Sequence, residues 1–276
     1  MRILVVDHDG ESLQRAVAQL GNLGFDATGT LEEDEAHERL GDHDLLVLSG
    51  GLEEKLRTSL SAAFSGPCAT PRGPKDLLQS VRNHILQNQP PRLIALAGSS
   101  RSGSYNQRLL GCAIDHALAL GAEVTVADLK SYGIPLFDQD LEAEHGLPEA
   151  VRDLQALLFS RHGLIVASPE YNGSITPLLK NTIDWISRST GNAPGLACYA
   201  NQVVTLLSAS PGRRGGLGGL AHVRDIFSGI GCIVMPTTVA VGRAQDAFDE
   251  EGNLKRSGRL KRAIEEMVSA VHRLYN

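Results

Sequence analysis

This sequence has few cysteines and few aromatic residues, and it has no long apolar run. Four cysteines occur in 276 residues, and none stands in a Cys-x-x-Cys spacing, so the sequence indicates neither a zinc site nor a disulfide framework. No apolar stretch approaches the ~20 residues that a membrane-spanning helix needs, and the amino terminus lacks a signal-peptide pattern. We therefore expect a cytoplasmic protein with no bound metal and no membrane contact.

Positive charge is also scarce. The 26 lysines and arginines are outnumbered by 32 aspartates and glutamates, which gives a formal net charge of −6 at pH 7. Binding to nucleic acid requires a clustered basic surface that neutralises phosphates, so we expect no nucleic-acid partner. The hydrophobic content of 42% is ordinary for an α/β protein, and 276 residues are sufficient for two domains.

Two common phosphate-binding motifs are missing as well. The GxxxxGK[ST] loop of ATPases needs a lysine that is not present after the glycines here, and the GxGxxG dinucleotide fingerprint is not matched because Gly98 and Gly103 stand alone. The chain has instead the segment RLIALAGSSRSGSYNQRLL at residues 92–110. Its apolar run predicts a buried strand, which is followed by a serine-rich turn and then by a helix.

The serine-rich turn suits a phosphate monoester. Its hydroxyl and amide groups form hydrogen bonds, and the helix that begins near Tyr105 directs free backbone N–H groups and its positive dipole end at the same place. The dipole contributes only about 0.3–1 kcal/mol at an exposed helix end, so several donors must act together. The other interpretation is that Gly, Ser and Asn serve turn and N-cap chemistry alone. The candidate side chains are those of Ser99, Ser100, Ser102, Ser104 and Asn106.

A second polar loop, SPEYNGSITPLLKNTIDWIS at residues 168–187, follows the next buried run. Ligands of open α/β sheets bind outside the carboxyl ends of the strands, so we expect the two loops to contact opposite parts of one ligand. Pro169 stiffens the turn, Tyr171 offers aromatic surface, and Gly173 permits close approach of the backbone. Asn172 either offers its amide to the ligand or forms a plain turn with Gly173.

Together these two loops closely resemble the NADPH-dependent FMN reductase family of flavodoxin-like proteins. The family signatures GSxRxxSxN and SPEYNxSxxxxLKNxIDWxSR are matched at residues 98–106 and 168–188, and the resemblance covers about residues 92–276. It implies FMN as the cofactor and NADPH or NADH as the reductant. It also implies that the FMN phosphate is surrounded by Ser99, Arg101, Ser104 and Asn106, and that Pro169, Glu170, Tyr171 and Asn172 line the ribityl chain and the isoalloxazine ring.

Three further residues complete the predicted cofactor site. Tyr105 begins the helix beside the phosphate turn, and Gly173 lies in the second loop. Ser210 belongs to a third loop, SASPGRRGGLGG at residues 208–219, which by the same resemblance closes over the flavin. Arg213 and Arg214 of that loop either meet the extra phosphate of NADPH or are solvated. Because the flavin ring carries the chemistry in this family, no catalytic side chain is expected.

The apolar runs and helical patterns after residue 92 alternate, which predicts a doubly wound parallel sheet with helices on both faces. A flavodoxin-like order requires five strands. The strands are predicted at residues 93–97, 123–127, 164–167, 202–207 and 232–241, and the helices at about 105–120, 148–160, 177–188, 217–229 and 254–274. Trp185, in the helix at 177–188, is assigned to the core or to a subunit interface.

A smaller α/β domain is predicted at residues 1–88, ahead of the flavodoxin-like domain at 92–276. The segment QNQPPR at residues 87–92 is typical of a short, stiff linker between two domains. The runs MRILVVDHD and DLLVLSGG, each followed by a helical pattern, resemble the amino-terminal half of a response-regulator receiver domain. About one strand–helix unit is missing from that pattern between residues 52 and 70.

The receiver resemblance departs from its family at the positions that bear on phosphorylation. Ser49 stands where the family has its phospho-accepting aspartate, and His8 interrupts the acidic pair that binds magnesium. A hydroxyl does not replace a carboxylate as a magnesium ligand in that chemistry. We therefore expect a pseudo-receiver that is not phosphorylated and that serves dimerisation, scaffolding or covering of the flavin domain.

The combined interpretation is an FMN-dependent NAD(P)H oxidoreductase. It passes hydride from NAD(P)H through bound FMN to a small oxidised acceptor, such as a quinone, azo dye, chromate or free flavin, by a ping-pong mechanism. The resemblance also implies a homodimer or homotetramer, assembled through helices that flank the flavin. The alternative is a redox-sensing regulatory flavoprotein in which the pseudo-receiver domain reports the flavin state to a partner.

Overall fold

The computed structural model describes residues 1–72, 74–189 and 194–275. The chain divides into two compact units, one formed by Met1–Gln87 with Ser189–Ala197 and the other by Asn88–Arg188 with Cys198–Asn276. The sequence gives no sign that Ser189–Ala197 groups with the first unit. Within the described ranges, none of the helices combines the length and the apolar character needed to span a bilayer.

The first unit is a four-stranded parallel sheet with flanking helices. In chain order its elements are β1 (Arg2–Val6), α1 (Gly10–Asn22), β2 (Asp26–Thr30), α2 (Glu33–Arg39), a 3-10 turn (Leu40–Asp42), β3 (Leu45–Leu48), α3 (Glu54–Ala63), β4 (Cys68–Ala69) and α4 (Pro74–Leu86). The strand order is β2-β1-β3-β4. β1 and β3 are central and almost entirely buried, as expected for apolar runs in a parallel sheet that is covered on both faces.

α3 and β4 lie in the stretch where the sequence pattern predicts no element. β4 has only two residues, which pair with Leu46 and Val47 of β3. Leu60 is the one residue of α3 that is fully buried, so the helix has no wide apolar stripe for periodicity to detect. The first unit therefore has four strands.

The second unit is a larger parallel sheet, also flanked by helices. Its elements are β5 (Arg92–Ala97), α5 (Tyr105–Ala119), β6 (Glu123–Ala127), α6 (Gln139–His145), α7 (Glu149–Phe159), β7 (Gly163–Ala167), α8 (Pro177–Ile186), β8 (Val203–Ala209), α9 (Leu217–Gly229), β9 (Ile233–Val234), β10 (Val239–Val241), α10 (Ala244–Ala247) and α11 (Gly258–Tyr275). The strand order is β6-β5-β7-β8-β10, and β9 also pairs with β8.

The edge of this sheet differs from the predicted single strand at residues 232–241. β9 pairs with Val203 and Val204 at the start of β8, whereas β10 pairs with the end of β8. Pro236 lies between β9 and β10, and proline removes a backbone N–H from a strand ladder. The sheet thus has six strand segments, of which two share the edge position beside β8.

Trp185 of α8 is a core residue. It is fully buried, its Nε1 donates a hydrogen bond to the Pro135 carbonyl at 2.9 Å, and the Phe137 ring meets it edge-on at 5.0 Å. Leu147 and Val151 pack against it. Because these neighbours enclose the ring within its own chain, Trp185 presents no surface to a partner, and the interface alternative for this side chain is wrong.

Candidate functional site

Three loops meet at the carboxyl ends of β5, β7 and β8. Loop 1 comprises residues 98–104, loop 2 residues 168–176 and loop 3 residues 210–216. They form an open pocket of about 200 Å³, at the place where open α/β sheets bind ligands. Nine of the eleven predicted cofactor residues line it, and Asn172 and Gly173 do not. The lining residues are Ser99, Arg101, Ser104, Tyr105, Asn106, Pro169, Glu170, Tyr171, Ala209, Ser210 and Pro211.

The start of α5 forms one wall of this pocket. Ser104 is the N-cap residue, and its Oγ accepts a hydrogen bond from the Asn106 N–H at 3.2 Å. Among the residues that the structure describes, the N–H groups of Tyr105 and Gln107 have no acceptor, as is usual in the first turn of a helix. This wall therefore carries free donors and the partial positive charge of the helix end.

Loop 1 adds further donors. The Ser99 Oγ accepts a hydrogen bond from the Arg101 N–H at 3.4 Å, which leaves its own proton available to donate, since a hydroxyl is both donor and acceptor. The Arg101 side chain is exposed. The loop thus offers a hydroxyl and a guanidinium to the same pocket.

The Asn106 amide bonds to the backbone of β8. Its Nδ2 donates to the Ala209 carbonyl at 2.8 Å, and its Oδ1 accepts from the Ala209 N–H at 2.9 Å. Both bonds are buried. Asn106 thus ties the start of α5 to the end of β8 and also lines the pocket, where the second Nδ2 hydrogen leaves its predicted place beside the phosphate a prediction.

Thr176 makes a second tie, between loop 1 and loop 2, and the sequence reasoning missed it. Its Oγ1 donates to the Gly98 carbonyl at 2.8 Å and accepts from the Leu179 N–H at 3.4 Å, so one hydroxyl caps α8 and holds loop 1. A Cβ at Gly98 would lie 2.8 Å from that Oγ1, which is why glycine is needed there. A threonine before Pro177 is the N-cap signal that the sequence offered.

Asn172 and Gly173 form a tight turn. Their φ angles are +51° and +78°, and Tyr171 and Ser174 on either side exchange backbone hydrogen bonds of 3.0 Å in both directions. This is the two-residue hairpin turn that Asn-Gly favours. Asn172 therefore forms the turn, which positions the half-exposed Tyr171 at the pocket, and contact of its side-chain amide with the ligand stays a prediction.

Glu170 connects loop 2 to the helix after loop 3. Its Oε2 accepts a hydrogen bond from the Gly219 N–H at 2.6 Å, in the first turn of α9, whose own N-cap is Gly216 and has no side chain to offer. A carboxylate at a helix N-terminus is favourable. Glu170 thus lines the pocket while its charged end is engaged by α9.

Loop 3 carries the remaining predicted residues. The Ser210 Oγ accepts from the Gly212 N–H at 3.2 Å, so its proton stays available. Gly215 has a φ of +65°, and a Cβ there would lie 2.6 Å from the Gly242 nitrogen, which requires glycine. Arg213 and Arg214 are exposed.

The sequence model described as NADPH-dependent FMN reductase matches residues 91–246. The chain belongs to the NADPH-dependent FMN reductase family. It is 34% identical over 168 residues to an NAD(P)H-dependent FMN reductase of Pseudomonas aeruginosa. The aligned region covers 59% of this chain and 84% of that protein. It is 32% identical over 147 residues to a quinone reductase of Escherichia coli K12, over 52% of this chain and 73% of that protein.

Solved structures agree on the fold. The flavoenzyme NAD(P)H:(acceptor) oxidoreductase FerB of Paracoccus denitrificans matches with a TM-score of 0.57 and 21% identity, over 66% of this chain and 98% of that one. An oxidoreductase of Corynebacterium diphtheriae matches with a TM-score of 0.52 and 19% identity, over 67% and 99%. The second unit therefore has the flavodoxin-like parallel α/β fold that these structures share.

The donor set of the pocket fits the FMN of this family. A phosphate monoester carries only acceptor oxygens and negative charge, and the wall at the start of α5 offers free N–H groups of Tyr105 and Gln107 together with serine hydroxyls. The carboxylate that lines the pocket, on Glu170, is held by the Gly219 N–H. Residues of loops 1, 2 and 3 are thus arranged so that an anion in the pocket contacts hydrogen-bond donors.

Proposed function

We propose that this chain is an FMN-dependent NAD(P)H oxidoreductase that reduces a quinone or a similar small acceptor. The observation that carries the proposal is that nine predicted residues, seven from three separate loops and two from the start of α5, line one donor-rich pocket in a chain of the FMN reductase family. Bound FMN supplies the ring that accepts hydride from NAD(P)H and passes it on.

In this proposal the chain's residues bind and orient the cofactor. Ser99, Arg101, Ser104 and the N–H of Tyr105 hold the phosphate at the positive end of α5. Asn106 positions these groups through Ala209. No side chain transfers a proton, so the site needs no acid or base with an altered pKa.

Loops 2 and 3 hold the rest of the cofactor in the same proposal. Pro169, Glu170, Tyr171 and Ser210 line the ribityl and ring portions. Tyr171 is 53% exposed, so it lies at the mouth, where it flanks the surface on which reductant and acceptor bind in turn. Because the reductant must leave this surface before the acceptor binds there, we propose a ping-pong order. The exposed Arg213 and Arg214 of loop 3 are the candidates to meet the extra phosphate of NADPH.

The assembly and the amino-terminal unit are also proposals. We propose that residues 1–88 and 92–276 are two domains, that the first is a receiver-like unit without a phospho-accepting aspartate, and that the chain forms a homodimer or homotetramer. The four cysteines are free, which suits the reducing cytoplasm that we propose as its location.

The test is steady-state turnover of the full chain reconstituted with FMN. We expect NADPH oxidation that depends on an added benzoquinone and gives parallel lines in double-reciprocal plots at varied quinone. Turnover without parallel lines would overturn the ping-pong order alone. Absence of NADPH oxidation with FMN bound would overturn the enzyme assignment, and a change of assembly state on chemical reduction of that flavin would then support the regulatory alternative.

A further inference from the structure

Residues 171–174 of loop 2, the Tyr171 hairpin, lie at the mouth of the pocket with little support of their own. Tyr171 and Ser174 are paired by an isolated bridge, and Tyr171, Asn172 and Gly173 are exposed. A two-stranded hairpin is only marginally stable in water even when its strands are longer. The position of the Tyr171 ring therefore depends on contacts from another element.

That element is α9, which makes two polar contacts with loop 2. On one side of the hairpin, the Glu170 Oε2 accepts the Gly219 N–H at 2.6 Å. On the other side, the His222 Nδ1 lies 3.0 Å from the Ser174 Oγ. Gly219 and His222 are three residues apart, so they are neighbours on one face of the helix. This face of α9 therefore holds the hairpin at both of its ends.

Glycine lets the helix backbone approach loop 2 closely. A Cβ at Gly219 would lie 3.0 Å from the Glu170 Cγ and 3.1 Å from the Ser174 carbonyl oxygen. A Cβ at Gly218 would lie 3.1 Å from the Glu170 Oε2. These distances are shorter than the optimal separation of about 3.5–4.0 Å between carbon atoms. A side chain at position 219 would therefore push the two ends of the hairpin away from α9.

The two contacts have different relations to the pocket. Glu170 lines the pocket and belongs to the proposed cofactor site, whereas His222 is not among the lining residues and is exposed on α9. A hydroxyl both donates and accepts, so the bond to Ser174 forms whether or not the His222 Nδ1 carries a proton. His222 therefore acts on the pocket through the hairpin, and by its position rather than by titration.

We propose that His222 is a positioning residue of the reductase. By holding Ser174 it fixes the Tyr171 ring beside the open surface on which the acceptor binds. Aromatic rings attract one another in defined geometries, so a planar quinone gains from a fixed Tyr171, whereas an acceptor without a ring does not. The effect on the reaction rests on the proposed function, but the contact between His222 and Ser174 is a property of the chain itself.

Two substitutions at His222 separate the contact from the rest of the side chain. The polar atoms of asparagine are bonded to Cγ, as the histidine Nδ1 is, so His222→Asn keeps a partner for Ser174, whereas His222→Leu places a methyl group there. We expect His222→Leu to raise the KM for benzoquinone by about fivefold, with kcat changed less than twofold. The KM for ferricyanide, which has no ring, should stay the same, and His222→Asn should restore the quinone KM.

Amide hydrogen exchange of the full chain without added FMN tests the contact apart from activity. The Tyr171 and Ser174 N–H groups each donate to the other residue's carbonyl at 3.0 Å. Both should exchange about fivefold faster in His222→Leu and at the unaltered rate in His222→Asn. Ser228→Leu, at an exposed position of the same helix, is the matched control and should change neither the exchange nor the quinone KM.

Gly219→Ala tests the close approach of the helix with a second variant. Alanine is a better helix former than glycine, so α9 should remain folded while the hairpin is displaced, and the quinone KM should rise as in His222→Leu. Gly229→Ala is its control, because a Cβ there has no neighbour within 4 Å. Equal quinone KM values in these two variants would contradict the packing of the hairpin on α9.

The remaining outcomes separate this inference from the proposed function. Unchanged exchange of both amides in a folded His222→Leu protein would overturn the contact. Faster exchange with an unchanged quinone KM would overturn the positioning role. Failure of the unaltered chain with bound FMN to oxidise NADPH would overturn the proposed function instead, and the exchange rates would still decide whether His222 holds the hairpin.

Discussion

Two parallel sheets in this chain end in crevices of opposite chemistry. At the ends of β5, β7 and β8, the pocket presents hydroxyls, helix N–H groups and a guanidinium, and its one carboxylate is engaged by α9. At the ends of β1 and β3, a cavity presents the buried carboxylate of Asp7. The same architecture therefore carries hydrogen-bond donors at one crevice and a buried carboxylate at the other, because the loops and not the sheet determine the chemistry of each crevice.

The crevices also differ in how their walls are connected. In the second unit, side chains bridge loops that are far apart in sequence, through Asn106 to Ala209 and through Thr176 to Gly98. In the first unit, Asp7 accepts hydrogen bonds from its immediate neighbours His8 and Asp9 and from the hydroxyls of Ser12 and Ser49. In the second unit, two side chains bond to backbone carbonyls 103 and 78 residues away, and the contribution of these ties can be tested by substitution.

The largest effect is expected from Asn106→Leu. This change leaves the buried N–H and C=O of Ala209 without their Asn106 partner, each at a cost of about 1–3 kcal/mol, so the free energy of unfolding of the second unit should fall by about 2–6 kcal/mol. Denaturant unfolding followed by circular dichroism measures it. Arg108→Leu, at an exposed position of the same helix, is the matched control and should stay within about 0.5 kcal/mol. Similar losses of unfolding free energy in both variants would contradict the stabilising role of the Asn106 hydrogen bonds to Ala209.

The next effect is expected from Ser104→Asp, which gives the FMN pocket a carboxylate like that of the first unit. Aspartate is as good an N-cap as serine, so α5 should remain stable. Repulsion of the phosphate by about 3 kcal/mol should weaken FMN by about 100-fold, with little change for riboflavin, which lacks the phosphate. Flavin fluorescence titration measures both affinities.

Ser102→Asp is the control for that prediction. Ser102 is exposed in the same loop and does not line the pocket. It should lower FMN affinity by much less than Ser104→Asp. Equal loss of FMN affinity in the two variants would mean that the phosphate does not lie at the start of α5. Equal loss of affinity for riboflavin and for FMN in Ser104→Asp would mean the same.

A smaller effect is expected from Glu170→Gln. The amide oxygen still accepts from the Gly219 N–H, but the negative charge at the start of α9 is lost, which should cost about 0.3–1 kcal/mol of stability. Glu170→Leu removes the acceptor as well and should cost about 1–3 kcal/mol. Thermal unfolding of the two variants gives the ranking, and a Gln variant as destabilised as the Leu variant would contradict it.

Ser49→Ala should have the smallest effect on the flavin site. Ser49 belongs to the crevice of the first unit, so FMN affinity and the rate of NADPH oxidation should equal those of the unaltered chain. In the first unit the same change removes one hydrogen bond that lowers the pKa of Asp7. A large loss of reductase rate would tie the first unit to catalysis.

Acid should weaken the first unit through Asp7. Its folded pKa is below the usual value, so its ionised form contributes stability that is complete above the unfolded pKa and is lost as the pH falls through the folded pKa. Ser49→Ala should reduce this acid-dependent loss. Amide exchange of residues in the first unit between neutral and acidic pH measures the slope, and an unchanged slope would contradict the hydrogen bond.

The sequence predicts the parallel flavodoxin-like sheet and the helices around the FMN pocket because the strands are continuous apolar runs and the loops carry dense polar signatures. It does not predict the break at Pro236, since a run at residues 232–241 reads as one strand until its partner β8 is known. Glu170, Asn106 and Thr176 have partners 49, 103 and 78 residues away. Pairings of that kind depend on tertiary structure, so residue type alone assigns Glu170 and Asn106 to the cofactor site and gives no sign of the ties that they and Thr176 make.

The roles of the cofactor residues are tested most directly by the visible spectrum of the full chain, reconstituted with FMN and titrated anaerobically with NADPH. We expect a bound-flavin band that is bleached rapidly by one equivalent of NADPH in the unaltered chain, and no retained flavin in Ser104→Asp at the same concentration. Bound flavin that NADPH does not reduce would contradict the reductase assignment. Failure of the unaltered chain to retain FMN would contradict the pocket itself.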